Sequence, residues 1–214
     1  MTFMAPINSV ILEVADPSAA QQFYTTSFGV GPEVSLRVSE APSAGFRGFT
    51  LSLIVSQPAT AKGFIDSALD AGAKSLKPAA KSFWGYGGVV QAPDGTIWKV
   101  ACSAKKDTGP ATRQIDQIAL LLGVEDVRAS KEFYIRQGLP VAKSFASKYV
   151  EFDTQTSPVK LGLYKRRALA KDAGVSPDGS GSHRIVIDGD AGPFADPDGF
   201  SWETARSETS GAAK

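Results

Sequence analysis

Few residues in this chain could do chemistry. It holds one histidine, His183, and one cysteine, Cys102. Cys102 lies just past a predicted strand with no histidine near it in sequence, so a thiolate–imidazole nucleophile lacks its base and Cys102 reads as inert core or rim. There is no Walker-type loop, no GxGxxG behind a strand, no GxSxG and no paired-cysteine zinc motif, so nucleotide, dinucleotide, serine-hydrolase and zinc-finger readings lack support. What remains is a set of polar side chains at strand spacing. Period-two alternation puts Ser9, Ile11 and Glu13 on one face of a strand, and Thr50, Ser52 and Ile54 on one face of another. The opposite faces (Val10, Leu12, Val14; Leu51, Leu53, Val55) are wholly apolar and must pack on helices. Residues 81–88, KSFWGYGG, carry Trp84 among glycines, which suits an aromatic flap over a pocket, a core contact or a subunit interface.

The elements that must position these residues occur twice. INSVILEV (Ile7 to Val14) runs through Asp16-Pro17 into SAAQQFYTTSFG. IDQIALLL (Ile115 to Leu122) runs through Asp126 into VRASKEFYIRQG. Each is an alternating apolar strand, an Asp placed to cap a helix, Phe-Tyr seven and eight residues later, then Gly. Phe23-Tyr24 and Phe133-Tyr134 are therefore equivalent. The halves also close alike: Pro93-Asp94-Gly95 and Pro197-Asp198-Gly199 are turns that lead to Trp98 and Trp202 in a final strand. The expected organisation is a domain at 1–103, a polar linker at 104–114 holding Gly109-Pro110, a second domain at 115–205 and a disordered tail at 206–214. Half one adds a strand, Phe49 to Val55, and a helix begun by Pro58, apolar at Ala61, Phe64, Ile65, Ala68 and Leu69 and ended by Gly72. Half two reads instead as strands at 147–153, 158–164 and 183–188 with no helix before Pro197. Lys165-Arg166-Arg167 reads as a solvated turn. The fold class is α+β with curved mixed sheets, the second unit of the C-terminal half being truncated.

Strand, Asp-capped helix with Phe-Tyr, Gly, then Pro-Asp-Gly into a last strand resembles the paired βαβββ units of the glyoxalase/bleomycin-resistance/dioxygenase group, the vicinal oxygen chelate superfamily, from about Ile7 to Ala205. The resemblance implies cup-shaped sheets and a divalent metal held by side chains from the first and last strands of the units. Carried onto half one, the positions fall on Ser9, Lys99 and Thr50, which are not credible metal ligands. Ser9, Glu13, Thr50, Ser52 and Lys99 are then expected to line a metal-free cup, the competing reading being that Glu13 and Lys99 simply pair. In half two the positions fall on Gln117, His183 and Glu203, with the fourth near Gly162, which has no side chain to offer. An amide oxygen, an imidazole and a carboxylate would suit Zn, Ni, Fe or Mn, so the expectation is one divalent ion in the C-terminal half, with Glu203 ligating or shuttling a proton. Arg184 would then face water.

Composition bounds the partners. The 214 residues carry 23 Lys plus Arg against 22 acids, which supplies no electrostatic footprint for nucleic acid or an anionic membrane. With one cysteine and no secretory-type N-terminus, the expected compartment is the cytoplasm. Three function classes stay open: a metal-assisted lyase, isomerase or dioxygenase, a binder that sequesters a drug-like or aromatic molecule, and a scaffold acting through protein contacts. The partner expected is a small molecule. Pairing of the two halves would make a monomer self-sufficient, and the alternative is a homodimer.

Overall fold

The computed structural model describes residues 6–154 and 157–204, so the expected tail at 206–214 lies outside the described residues. Half one comprises β1 (Ile7–Val14), α1 (Pro17–Ser27), β2 (Val34–Val38), β3 (Ser43–Gly45), β4 (Phe49–Ile54), α2 (Pro58–Asp70), β5 (Lys74–Ser82), β6 (Gly85–Gln91) and β7 (Ile97–Cys102). Half two comprises β8 (Gln117–Val124), α3 (Val127–Arg136), β9 (Val141–Phe145), β10 (Tyr149–Phe152), β11 (Val159–Lys165), α4 (Arg166–Ala173), β12 (Gly179–Gly181), β13 (Ile185–Gly189), β14 (Phe194–Ala195) and β15 (Ser201–Glu203). No helix among the described residues is long and apolar enough to cross a membrane.

The repeated openings fold alike for one local reason. Asp16 Oδ1 accepts the amides of Ser18 and Ala19 at 2.9 and 3.0 Å, and Asp126 Oδ1 accepts those of Arg128 and Ala129 at 2.9 and 3.1 Å. Each satisfies amides that the first helical turn leaves unpaired. The tyrosine of each Phe-Tyr pair then ties the helix to the closing turn. Tyr24 donates to Asp94 at 2.6 Å and receives the Trp98 indole N–H at 3.4 Å. Tyr134 donates to Asp196 at 2.7 Å and receives that of Trp202 at 3.2 Å.

The halves do not each keep a sheet of their own. An eight-stranded sheet runs β5-β6-β7-β4-β8-β11-β10-β9, and a five-stranded sheet runs β14-β15-β13-β1-β2. The seams are antiparallel pairings across the halves, β4 with β8 and β1 with β13. A single apolar core joins the two sheets: Val10, Leu12, Leu51, Leu53, Leu120, Leu122, Ile185 and Ile187 are buried with Phe23, Phe64 and Tyr134 from the helices. The linker is clamped as well. The Gln57 side chain accepts from the Thr108 and Gly109 amides and donates to the Gly109 and Pro110 carbonyls.

Three sequence expectations need correction. Lys165-Arg166-Arg167 is no solvated turn, because Arg166 opens α4, donates to the Phe46 and Pro177 carbonyls and lies over the Phe46 ring. Helix α4 also overturns the expectation of no helix before Pro197; its pattern is faint in sequence because only Leu169, Ala170 and Ala173 are buried, and Gly174, at φ +80°, ends it. Truncation affects both ends of the chain: β1 is followed by only one strand of its sheet, β2, and β13 by only β14 and β15 with no helix between.

Candidate functional site

The polar faces foreseen in the sequence line two different cups. In the eight-stranded sheet, the register places Lys99 beside Ser52, Ser52 beside Ala119, and Ala119 beside Lys160, one row across β7, β4, β8 and β11. Paired residues on neighbouring strands point to the same side, so these four share the concave floor. Helix α4 packs on one end of that floor through Leu169, Ala170 and Ala173, which cluster with Val89, Ile97, Leu121 and Tyr164. Thr50, expected to line the cup, is only 4% exposed and does not reach the cavity. The open part measures about 300 Å³ and is bounded by Ser52, Lys99, Gln117, Tyr149, Glu151 and Tyr164 among others.

Its chemistry is that of an aromatic wall facing cations. The rings of Tyr149 and Tyr164 lie 4.7 Å apart, and Tyr149 donates to Glu151 at 3.1 Å. Burial, then the Glu151 charge, raises the Tyr149 phenol well above its ordinary range. Burial, then Asp172, raises that of Tyr164. Both rings therefore stay neutral donors. Lys99 pairs with Asp172 of α4 at 2.7 Å, not with Glu13, which is on the other sheet. Lys160 donates to the Thr154 carbonyl. The Ser52 hydroxyl is buried and has no hydrogen-bond partner among the described residues. Gly162 keeps the wall close, since a Cβ there would stand 3.0 Å from Leu121 and 3.3 Å from Tyr149.

In the five-stranded sheet the equivalent row is acidic. Ser9 pairs with Asp188 and Asp188 with Glu203, and the Ser9 hydroxyl donates to Asp188 at 3.3 Å. Arg37, beside Glu13 on β2, reaches past β1 and β13 to grip Glu203 with both ends of its guanidinium, at 2.9 and 2.7 Å. The Glu203 hydrogen bond is the first cause raising the Arg37 pKa above its ordinary value.

The expected metal triad of Gln117, His183 and Glu203 does not come together. Gln117 lines the eight-stranded cup, while Glu203 belongs to the five-stranded sheet. His183 precedes β13, with Nδ1 against the Arg47 carbonyl at 2.6 Å, Nε2 against that of Asp198 at 3.0 Å, and its ring stacked on Phe200. The cause is register. Asp126 caps α3 as Asp16 caps α1, so the counterpart of Ser9, seven residues before the cap, is Ala119 and not Gln117. Arg184, at φ +58°, breaks the alternation that would have carried His183 into β13. Within β13, Asp188 faces the cup beside Glu203 while Ile185 and Ile187 go to the core. Arg184 is not turned out to water; its guanidinium donates to the Ser39 carbonyl. Trp84 sits at the β5–β6 tip, is 83% exposed and does not line the cup.

Among the described residues no three His, Cys, Asp or Glu side chains are grouped as a metal site. The row with two lysines does not fit a divalent cation. The acidic row offers oxygen donors, but Glu203 already holds a guanidinium. Sequence reasoning missed Arg37, Tyr149, Glu151, Lys160, Tyr164 and Asp188. Only the period-two spacing of Tyr149 with Glu151 hinted that these two share a face.

No protein-family model and no curated protein matches the sequence. The fold does match solved structures. Glyoxalase I from Zea mays is similar at TM-score 0.60 and 17% identity, over 92% of this chain and 91% of that one. A Bacillus subtilis protein provisionally described as a dioxygenase is similar at TM-score 0.53 and 11% identity, over 86% of this chain and 69% of that one. The Tyr-tied helices, the paired units and this likeness together give the chain the vicinal oxygen chelate fold, the fold of glyoxalase I.

Proposed function

We propose that the protein binds and sequesters a small aromatic molecule bearing an anionic group in the eight-stranded cup, with lysine ammonium groups standing where the fold otherwise carries a metal. The observation that carries this reading is the row Lys99–Ser52–Ala119–Lys160 beneath the Tyr149–Tyr164 wall. The wall supplies stacking area, the ammonium groups attract the anion, and the buried Ser52 hydroxyl supplies a hydrogen bond that the folded chain leaves unmade. Because β4 pairs with β8 and β1 with β13 within one chain, the cup is complete in a monomer. The test is calorimetric titration with benzoate and salicylate in the presence and absence of a chelator, on the natural protein and on Lys99→Met with Lys160→Met. Loss of about tenfold or more in affinity in the double variant, with no effect of chelator, is expected. Binding that survives both substitutions, or that vanishes with chelator, overturns it.

One observation favours a second reading. Asp188 and Glu203 stand side by side on the five-stranded sheet and are carboxylate donors of the kind Mn, Fe, Ni or Zn accept, with Glu203 as proton carrier if Arg37 leaves it. Metal analysis of protein purified without chelator separates the two readings.

A further inference from the structure

A second cavity, of about 300 Å³, lies outside the eight-stranded cup, where the end of β1 meets the first turns of α1 and the turn before β7. Val14, Ala19, Ala20, Phe23 and Pro93 make its apolar lining, and the guanidinium-bearing side chains of Arg47 and Arg184 enter it from two different segments. Among the described residues both arginines are left short of acceptors. Arg47 spends Nη2 on the Asp94 carbonyl at 2.7 Å, but its Nη1 is buried with no partner. Arg184 spends Nη1 on the Ser39 carbonyl, but its Nε is buried with no partner. A buried donor without an acceptor costs on the order of 1–3 kcal/mol, and more when charged, so each guanidinium gains by turning towards an acceptor in the cavity that its side chain borders. Burial lowers the pKa of Arg47, the Asp94 charge opposing that shift and the Arg184 charge adding to it.

The Asp94 charge acts on Arg47, but the Asp94 and Asp16 carboxylates of the lining are already engaged elsewhere. Asp94 accepts from Tyr24 and from the Thr96 amide, and Asp16 caps α1. Glu13 lies on the same cavity wall and forms a direct pair with neither arginine. With Asp16 and Glu13 present, a second negative charge on a ligand would meet repulsion, whereas a single carboxylate on an apolar body meets none at its far end.

From this geometry we infer that the cavity is a binding site for a small monocarboxylate with a short branched or aliphatic body, its oxygens bridging Arg47 and Arg184 once the two guanidinium groups turn towards it, and its body resting on Ala19, Ala20 and Phe23. This goes beyond the proposed function, since the eight-stranded cup shares no lining residue with it.

The experiment is a titration of the full chain followed by amide NMR and calorimetry, with isocaproate, isoamylamine and adipate as probes. Isocaproate is expected to shift the amides of Val14, Ala19 and Ala20 and to leave those of Tyr149 and Tyr164 in place. Adipate and isoamylamine are expected to bind at least about tenfold more weakly, and Arg47→Gln with Arg184→Gln to cost isocaproate about tenfold or more. Arg47 is partly buried and its loss could unfold the chain, so Ala19→Trp, at an exposed helix position, is the second variant. It fills the cavity with both arginines retained and should abolish binding at an unchanged unfolding midpoint. No isocaproate shift at these amides, equal binding of the amine, or undiminished binding in Ala19→Trp each overturns the site. Isocaproate shifts confined to Tyr149 and Tyr164 would overturn it too, while leaving the cup reading standing.

Discussion

The two cups start from the same strand arrangement and end with opposite charge. In the eight-stranded sheet the central row is Lys99–Ser52–Ala119–Lys160, and α4 covers only one end of it. In the five-stranded sheet the row is Ser9–Asp188–Glu203, and Arg37 spans it. One cup keeps cations facing an aromatic wall and space for a guest. The other meets its own carboxylate with its own guanidinium. Duplication thus fixes the backbone frame, while a handful of side chains decides whether a cup stays open.

The largest effect should come from separating the strands that make both cups. Cutting the chain at Thr108–Gly109 removes β8 from β4 and β13 from β1 at once, exposing an unpaired edge on each sheet. Each fragment alone is expected to lose the cooperative unfolding transition, a stability on the order of 5–15 kcal/mol, and an equimolar mixture to regain it. Two independently folded fragments, seen by circular dichroism and amide dispersion, would show that the two halves are autonomous domains.

Next in size are the two buried tryptophans. Trp98→Ala and Trp202→Ala should each cost about 3–5 kcal/mol in denaturant unfolding, because each leaves a cavity and strips the indole donor from Tyr24 or Tyr134. Similar losses would mean that the two Tyr–Asp–Trp ties are energetically equivalent. A loss at Trp202 below about 1 kcal/mol would mean that the three-residue β15 is a weak copy of β7.

The same ties predict alkaline lability. Tyr24 and Tyr134 have phenol pKa values raised far above the ordinary 10, first by burial and then by Asp94 and Asp196 respectively. Below about pH 10 these phenols are neutral in both states, so stability is fully present. Above it the unfolded chain loses protons that the folded chain keeps, and stability falls by about 1.4 kcal/mol per pH unit for each buried phenol. Tyr24→Phe should halve the slope contributed by this pair. A flat stability curve from pH 9 to 11 would contradict the tie, the pH values being about one unit either side of the ordinary phenol pKa.

Arg37→Ser tests what closes the five-stranded cup. The Arg37–Glu203 bridge is 40% and 47% exposed, so its loss should cost only about 0–1 kcal/mol. With that guanidinium gone, the Asp188–Glu203 carboxylate pair is expected to take up more manganese or zinc by calorimetry than the natural protein does. Unchanged metal uptake would show that the guanidinium is no substitute for a cation there.

Much of this was legible in the sequence. The duplicated Asp-to-Phe-Tyr spacing located α1 and α3, and alternation sorted Val10, Leu12, Leu51 and Leu53 into the core. What could not be read was which strand adjoins which. Seams between β1 and β13, or β4 and β8, join residues far apart in sequence, and nothing local fixes them. The residues were therefore grouped by half, whereas the molecule groups them by sheet, parting Ser9 and Glu13 from Ser52 and Lys99. His183 misled for a local reason: Arg184, at φ +58°, interrupts the strand between His183 and β13, and the imidazole is held by the Arg47 and Asp198 carbonyls instead of facing a cup.

A single hydroxyl carries the most specific information about the open cup. Ser52 is 3% exposed, central in its row, and its hydroxyl has no hydrogen-bond partner among the described residues. A buried hydroxyl left unpaired costs stability that an apolar side chain of nearly the same size would not. Were Ser52 only a packing residue, alanine would serve the fold better. Ser52→Ala is therefore expected to raise stability by up to about 1 kcal/mol in denaturant unfolding, while weakening benzoate or salicylate binding by several-fold. The corresponding change in the other cup, Ser9→Ala, removes a hydrogen bond that is made, to Asp188, and should lower stability by about 0.5–1.5 kcal/mol. Opposite signs at these two serines would establish that one cup is arranged for a guest and the other for itself. If both substitutions destabilise, the Ser52 hydroxyl has a partner in the folded chain, and the hydrogen bond assigned to the ligand is lost from the argument.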